Sequence, residues 1–168
     1  DERVFAADEN IMNSTRSTDF ITPKSAVSLT FRNAVLALAQ DHPFARKLVN
    51  SGRLSVPAIL TGSALNTPDA DAFAGDMVPG APMDDAPVID NGADGWLLDK
   101  VGDGFFALYF ADDPARIDGG TVAALADLSV GPVPVRSLVI SMRPGTVSGG
   151  VPVLEDPKGV AAKRYDAR

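Results

Sequence analysis

The chain has 168 residues, enough for one ordinary domain or for a small domain with an appended arm. Its 15 basic and 22 acidic side chains leave a net charge of -7, which argues against a nucleic-acid surface because phosphate binding needs clustered Lys and Arg. Cysteine is absent and His42 is the single histidine. This excludes a disulfide scaffold, a thiol nucleophile, a dithiol redox pair, and zinc sites built from cysteine or from several histidines.

The start of the chain and the length of its apolar runs bear on its cellular location. No apolar run approaches the roughly 20 residues of a membrane span, and no signal segment opens the chain. We therefore expect a cytoplasmic protein that contacts no membrane. The chain begins at Asp1 with residues that already have helical spacing, so we expect a piece of something longer.

Residues 1–65 have the apolar spacing of helices. The first and weakest pattern ends near Ser17. A second helix is predicted over residues 23–40, with Thr22 as its N-cap and Pro23 at its first position. A short third helix is predicted over residues 43–50, with Gly52 as its stop. The second helix has a wide apolar stripe: Val27, Leu29, Phe31, Val35, Leu36 and Leu38.

Residues 66–94 differ from both flanks in composition and charge. Proline, glycine and aspartate dominate them, and residues 51–100 carry two basic and eight acidic side chains. A stretch of this kind sustains neither helix nor strand. We therefore expect a long acidic connector between a helical first part and a mixed second part.

Residues 95–168 change to the pattern of a mixed α/β segment. Strands are predicted over residues 95–99, 105–110 and 135–141 because these runs are apolar and rich in aromatic or β-branched residues. Helices are predicted over residues 122–128, capped by Thr121, and over residues 159–166. The order strand-strand-helix-strand-helix predicts a small α/β layer whose strands are buried on both faces.

Two glycine-rich segments invite a functional interpretation. Residues 102–107 (GDGFFA) fit the dinucleotide pattern G-x-G-x-x-G/A, but that mechanism needs a helix directly after the glycines. Strand residues follow instead, so we expect a tight turn between two strands. Residues 145–150 lack the G-x-S-x-G arrangement of a nucleophile elbow.

The remaining polar candidates are weighed against ordinary structural roles. Residues 90–95 supply oxygen ligands for calcium, but Gly92 stands where a ligand is needed and no glutamate follows, so a solvated loop is favoured. No nucleophile is tied to His42 by a known spacing, which favours a surface or capping histidine. The pairs Asp84–Asp85 and Asp112–Asp113 are interpreted as solvated turns. We therefore predict no catalytic, cofactor-binding or metal-binding residue in this chain.

An ordered series of segments resembles the carboxyl-terminal region of flavin-dependent aromatic hydroxylases, the phenol-hydroxylase-like and 3-(3-hydroxyphenyl)propionate-hydroxylase-like FAD monooxygenases. The segments run through nearly the whole chain: DEN at 8–10, NSTRSTDFITPKS at 13–25, FAR at 44–46, SGRLS at 51–55, Gly75, PGAPMDDAP at 79–87, WLLD at 96–99, GFFALYF at 104–110, DPKG at 156–159 and RYDA at 164–167.

The resemblance implies a domain plan and a role. Residues 1–65 would be the helical tail of the FAD and substrate portion, residues 66–94 the connector, and residues 95–168 a three-layer thioredoxin-like domain without redox cysteines. The chain would be the non-catalytic part of an NAD(P)H-dependent monooxygenase, serving packing, dimerisation or cover of the substrate side. The family's flavin motifs are missing from this sequence, so FAD and NAD(P)H belong to the implied full-length enzyme.

Three further expectations accompany this plan. The family continues past the position of Arg168 with a terminal strand pair, so the resemblance implies a sheet that lacks its last strands. The alternative function is a free-standing thioredoxin-like protein-interaction module without enzymatic activity. The apolar stripe of residues 23–40 predicts a homodimer in which this helix packs on its symmetry mate.

Overall fold

The computed structural model describes residues 1–49, 57–70 and 77–167. The chain divides into two compact units, the first Asp1–Asp69 with Pro79–Pro82 and the second Ala70–Val78 with Met83–Arg168. The predicted helix end at Asn50, its stop at Gly52, and the resembling residues 51–55 and Gly75 lie outside the described residues.

The first unit contains helices α1 (Glu2–Ile21), α2 (Ala26–Asp41) and α3 (Pro43–Val49). The predicted end of α1 near Ser17 is wrong by a turn, and Thr22 is not the N-cap of α2. The Thr22 hydroxyl donates instead to the carbonyl of Thr18 at 2.6 Å, closing α1. Pro23 explains the difference, because the residue before a proline is displaced from helical geometry. The N-cap of α2 is Ser25, whose Oγ accepts from the N–H of Ser28 at 3.1 Å.

Two arginine side chains connect the three helices by donating hydrogen bonds to backbone carbonyls at the ends of α1 and α2. The Arg46 guanidinium on α3 donates to the carbonyl of Ala39 at 2.7 Å and to that of Gln40, which satisfies the last carbonyls of α2. Arg32 on α2 donates to the carbonyl of Ile21 at 3.0 Å. No residue of α1 or α2 is buried, and the apolar stripe of α2 is largely exposed.

A loop in the first unit is closed by an asparagine and a glycine. Leu60 donates its backbone N–H to the carbonyl of Gly80 at 2.9 Å, and the Asn66 amide donates to Leu60 at 2.7 Å and Pro79 at 3.2 Å. Gly80 has a φ of +90°, and a Cβ there would lie 2.6 Å from the Leu60 carbonyl oxygen. Only glycine fits this position.

The second unit is built on a mixed sheet with helices beside it. Its strands are β1 (Pro87–Asp90), β2 (Ala93–Trp96), β3 (Phe105–Ala111), β4 (Ser129–Val130), β5 (Val133–Ser141) and β6 (Val153–Glu155), and its helices are α4 (Leu97–Lys100), α5 (Gly119–Ala126) and α6 (Val160–Arg164). Within the described residues the order is β2-β1-β6-β5-β3, with β4 paired to β5. Strand β5 is parallel to β3 and β6, while β1 is antiparallel to β2 and β6.

Strand β5 carries the core on both of its faces. Leu138 and Ile140 pack in one cluster with Leu97 of α4 and Ala161 of α6. Ser137, one position away, donates its hydroxyl to the carbonyl of Leu125 on α5 at 2.7 Å. Successive strand residues point to opposite faces, so α5 lies on the face opposite α4 and α6. The prediction of a mixed α/β fold is confirmed.

Several predicted elements need correction. The strand predicted over residues 95–99 is wrong beyond Trp96, because Leu97 begins α4. The N–H of Leu97 donates to the Ala86 carbonyl at 2.8 Å and that of Leu98 to the Asp85 carboxylate at 3.0 Å, which starts a helical turn. The connector was predicted to hold no strand, yet β1 and the first half of β2, Ala93 and Asp94, lie within it.

The other differences concern ends and short strands. Helix α5 begins three residues before the predicted position because Asp118, not Thr121, is its N-cap. Strand β5 begins two residues early, and α6 is shorter than the predicted helix over residues 159–166. Strands β4 and β6 were not predicted. They contain two and three residues, too few to show an apolar period.

Candidate functional site

The carboxyl ends of the parallel strands β3 and β5 open into a cleft beside α6. Ligands of open α/β sheets bind beyond the carboxyl ends of parallel strands, which makes this cleft the first candidate. Its volume is about 260 Å³. The polar side chains in its wall are Asp112, Ser141 and Asp156, and the rest is mainly apolar: Phe110, Ala111, Ile140, Met142, Ala162 and Ala167.

The buried carboxylate in this wall is engaged by backbone. Asp156 is 1% exposed, and its two oxygens accept from the N–H groups of Val160 at 2.8 Å and Ala162 at 3.0 Å. Gly159, directly before Val160, has a φ of +63° and is the N-cap of α6. A carboxylate that accepts the first N–H groups of a helix both caps it and stabilises its positive end. Asp156 therefore has a structural role that accounts for its burial.

The other polar groups of the cleft do not form a catalytic set. Ser141 is buried, and its Oγ accepts from the N–H of Arg143 at 3.2 Å. A serine nucleophile needs a base beside it, and the single histidine, His42, belongs to the first unit. Asp112 is exposed. The cleft offers a small, mostly apolar wall with one exposed carboxylate, and no acid–base pair.

A second cleft in the same unit lies along β1 and β2. Its volume is about 400 Å³, and its wall includes Val88 and the indole of Trp96, which is 51% exposed. Asp94, Asp99 and Lys158 bring charges of both signs. With Asp156 the wall has three carboxylates and one ammonium group, which disfavours an anionic ligand.

The residues weighed as a calcium loop form a hairpin turn. Asn91 and Gly92 have φ values of +50° and +82°, the left-handed pair that a two-residue type I′ turn requires between β1 and β2. Asp90 at the end of β1 forms an ion pair with Lys100 at 2.7 Å. The Asn-Gly dipeptide is itself a strong hairpin signal, and it could have predicted both strands from the sequence.

The glycines of the dinucleotide-like pattern lie between α4 and β3. Strand residues follow them, as predicted, but the predicted preceding strand is helix α4. Arg136 of β5 fastens this loop: its guanidinium donates to the carbonyl of Asp103 at 2.6 Å and lies 4.9 Å from the ring centroid of Phe106. Gly104 has a φ of +123°, so its role here is conformational.

The aspartate pairs are anchors for backbone, and the interpretation as solvated turns is wrong for Asp85 and Asp113. Asp85 is partly buried, and one of its oxygens accepts from the N–H groups of Ala86 at 2.9 Å and Leu98 at 3.0 Å. The Asp84 carbonyl accepts the Tyr165 hydroxyl at 2.7 Å.

Asp113 acts in the same way further along the chain. Its carboxylate accepts from the N–H of Ala115 at 2.9 Å and lies 3.3 Å from the Arg143 guanidinium. These contacts fix the 3₁₀ turn at Pro114–Arg116 after β3.

His42 and the loop at residues 145–150 also have structural surroundings. His42 is exposed and ends α2, and its carbonyl accepts from the N–H groups of Ala45 at 3.1 Å and Arg46 at 3.2 Å. Its ring centroid lies 5.7 Å from that of Phe44. The loop at residues 145–150 contains a 3₁₀ turn at Ser148–Gly150.

Two titratable groups have shifted pKa values, each for a local reason. A hydrogen bond from the Thr121 hydroxyl and one from the Thr121 N–H lower the pKa of Asp118 at the start of α5. Burial raises the pKa of Tyr165, and the negative charge of Asp84 raises it further. Neither shift produces a catalytic acid or base, because Asp118 is an exposed helix cap and the Tyr165 phenol is already donating to a carbonyl.

In the ranges 1–49, 57–70 and 77–167, no three carboxylate, imidazole or thiol groups come together as metal ligands. No helix among these residues is both long and apolar enough to cross a membrane. No protein-family model matches the chain, and no curated protein matches it.

Proposed function

We propose that this chain is the C-terminal, non-catalytic part of an FAD-dependent, NAD(P)H-dependent aromatic-ring monooxygenase. The observation that carries this proposal is the ordered series of segments that resemble this family, from residue 8 to residue 167. Single segments of the series are short, and their order along the chain gives the resemblance its weight.

The packing of the second unit supports the proposal. Four of the resembling segments, at 79–87, 96–99, 156–159 and 164–167, contribute to one arrangement. Ala86 and Leu97 belong to the same core cluster as Ala161, which lies between the third and fourth of these segments. The Tyr165 hydroxyl reaches back 81 residues to the Asp84 carbonyl. Segments that contact one another in one core constrain each other's sequences, which is a physical reason for all of them to resemble the same family.

In this proposal the cofactors bind elsewhere in the enzyme. FAD and NAD(P)H bind through a glycine turn followed by a helix N-terminus, which holds the pyrophosphate. The glycine turn of this chain, Gly102–Gly104, precedes strand β3, so it does not fit a dinucleotide. In this proposal both cofactors belong to the N-terminal flavin portion of the full-length enzyme.

Each part of the chain then has a structural role. The helices of residues 1–65 are the tail of the flavin portion, and the exposed apolar side chains of α1 and α2 pack against that portion. Residues 95–168 are a thioredoxin-like domain without redox cysteines, to which the parallel pair β3 and β5 with helices on both faces is suited. The domain serves packing, dimerisation or cover of the substrate side, in a cytoplasmic enzyme without nucleic-acid or membrane partners.

One observation favours the second candidate, a free-standing thioredoxin-like interaction module. The side chains of Val27 and Phe31 on α2 are 79% and 64% exposed, which is unusual for neighbouring large apolar residues unless a partner covers them. In a free-standing module that partner would be another protein. In the monooxygenase it is the flavin portion of the same chain.

The reading frame upstream of Asp1 distinguishes the two candidates. The monooxygenase proposal predicts that this frame continues upstream and encodes a GxGxxG motif near its start and a GD motif before Asp1. A start codon shortly before Asp1, with no flavin motif in frame, would contradict it and favour the interaction module.

A further inference from the structure

The cleft along β1 and β2 has the size of a small-molecule site. Its volume is about 400 Å³, within the range of roughly 300–1,000 Å³ that ligand pockets occupy. Its wall comes from the hairpin of β1 and β2, the short helix α4 and the turn at residues 156–158. All of these segments belong to the second unit and lie inside the chain.

Trp96 gives this cleft an aromatic wall. Asp94 and Trp96 are two residues apart on β2, so their side chains point to the same face of the hairpin. Their partners on β1, Ile89 and Pro87, lie on that face as well. Trp96 is 51% exposed, and its ring stacks on no aromatic ring or cation of the described residues. The indole is therefore accessible to a ligand in the cleft.

The charges of the wall select the sign of that ligand. Asp94 and Asp99 are exposed, and neither carboxylate has an ion pair or a hydrogen bond within the part of the chain that the structure describes. Lys158 is the one cation in the wall among the described residues. Residues 51–100, from which the hairpin and α4 come, carry two basic and eight acidic side chains. A cleft with this surplus of negative charge attracts cations.

An organic cation suits both features of the cleft. The face of an indole ring attracts a quaternary ammonium or guanidinium group, and tryptophan is the best aromatic side chain for this contact. A bare metal ion is a poorer match, because it needs several oxygen ligands at once. The described residues bring no three carboxylates together in that way.

We propose that the cleft binds a small organic cation, with the cationic group over the indole of Trp96 and beside the carboxylates of Asp94 and Asp99. The site is separate from the cleft at the carboxyl ends of β3 and β5. The proposal rests on the wall of the cleft and does not depend on the monooxygenase assignment.

The fluorescence of Trp96 tests the site directly because the chain has a single tryptophan. Choline is the probe. Its control is the neutral carbon isostere, in which a tert-butyl group replaces the trimethylammonium group. Choline should change the emission in a saturable way, with a Kd in the millimolar range, and the isostere should not. Sodium chloride at equal ionic strength, added alone, separates binding from an effect of salt.

Charge variants then locate the cation. Asp94→Asn and Asp99→Asn should each weaken choline binding by about twofold to fivefold, the size expected of an exposed ion pair. Asp127→Asn is the matched control, because it removes the same charge from an exposed residue at the end of α5 and should leave the Kd unchanged. Lys158→Gln removes a like charge from the wall and should strengthen binding.

A second measurement does not use the fluorescence of Trp96. Saturation transfer by NMR from the chain to the methyl protons of choline should be seen with the parent and lost with Trp96→Leu.

Three results would overturn the proposal. Equal responses to choline and its isostere would show that the cleft recognises apolar shape alone. Equal weakening by Asp127→Asn and Asp94→Asn would show that only the net charge of the chain attracts choline. The absence of both a fluorescence change and saturation transfer would show that the cleft does not bind this class of ligand.

Discussion

Asp156 joins three features of the second unit at one side chain: the end of β6, the left-handed Gly159 and the first turn of α6. The carboxylate is buried and accepts two backbone N–H groups. Its removal would leave both donors without a partner inside the protein. Buried donors in that state are costly because water no longer compensates them.

We therefore predict that Asp156→Ala lowers the free energy of unfolding by about 2–3 kcal/mol. Asp156→Asn is the matched control, because its amide oxygen still accepts one of the two N–H groups, and it should lose less. Urea unfolding followed by circular dichroism measures both. Equal stability of Asp156→Ala and the parent would show that the cap is unimportant.

Tyr165 gives the second unit a dependence on alkaline pH. Its pKa is raised in the folded state above the ordinary value of 10.0, first by burial and then by Asp84. A phenol whose pKa is raised on folding contributes stability below its unfolded pKa, and that contribution is lost as pH rises through the folded value.

We predict that stability declines above about pH 10 and that Tyr165→Phe removes part of this decline. The difference between the tyrosinate absorbance titrations of the parent and the variant isolates Tyr165. A titration of Tyr165 at or below the ordinary pKa would be inconsistent with its placement against Asp84.

For single residues, the sequence predicted local turns better than it predicted the hydrogen-bond partners that tertiary packing brings to them. The turn at residues 156–159 was visible in its Asp-Pro-Lys-Gly sequence, but the burial of the Asp156 carboxylate depends on β5 and α6 packing around it. Asp85 was assigned to a solvated turn because the N–H of Leu98 that it binds is 13 residues away. Such partners are set by tertiary packing, which local composition does not encode.

Helix α4 illustrates how an element can be mistaken when its context is absent. Leu97 and Leu98 follow a strand and are apolar, so the sequence favours continuation of that strand. The structure turns the chain into a helix, which buries Leu97 completely and leaves Leu98 40% exposed.

This arrangement predicts unequal effects for two neighbouring leucines. Leu97→Ala should lower the free energy of unfolding by about 2–5 kcal/mol because it leaves a cavity between α4 and β5. Leu98→Ala is the matched control and should cost less than about 1 kcal/mol, as surface substitutions usually do. Similar losses at both positions in denaturant unfolding would contradict the burial of Leu97 alone.

Element boundaries followed a simple physical pattern. Long periodic segments, such as α2 and β5, were predicted to within a few residues. The hairpin of β1 and β2 was missed because its flanks are rich in proline and aspartate, although Asn91 and Gly92 carried the turn signal. Strand β6 was missed because three residues show no period, and its place in the sheet depends on neighbours β1 and β5.

At the scale of the whole molecule, the apolar stripe of α2 remains exposed in the first unit. Leu36 is 41% exposed, so a charge there should leave the helix folded. Burial of each large apolar side chain is worth roughly 1.5–3 kcal/mol, which favours association of two stripes.

We predict that Leu36→Asp lowers the average mass of the chain measured by light scattering at micromolar concentration. Asn33→Asp adds the same charge to α2 outside the stripe and should leave the mass unchanged. Equal masses for the parent and Leu36→Asp would show that the stripe takes no part in self-association.

The molecule as a whole was only partly predictable. Its mixed α/β class followed from the change in apolar period near residue 95. The function depends on a resemblance between short segments. The apolar stripe was visible in the sequence, but what covers it was not.

The flavin content of two purified proteins, the product of the whole reading frame and the chain of 168 residues alone, tests the central claim most directly. We predict that the longer protein is yellow, with stoichiometric FAD, and oxidises NADH or NADPH when given a phenolic substrate. The shorter chain should be colourless and should not quench the fluorescence of added FAD, because its glycines do not precede a helix. Stoichiometric flavin on the shorter chain, or the absence of flavin from the longer protein, would contradict the proposed function.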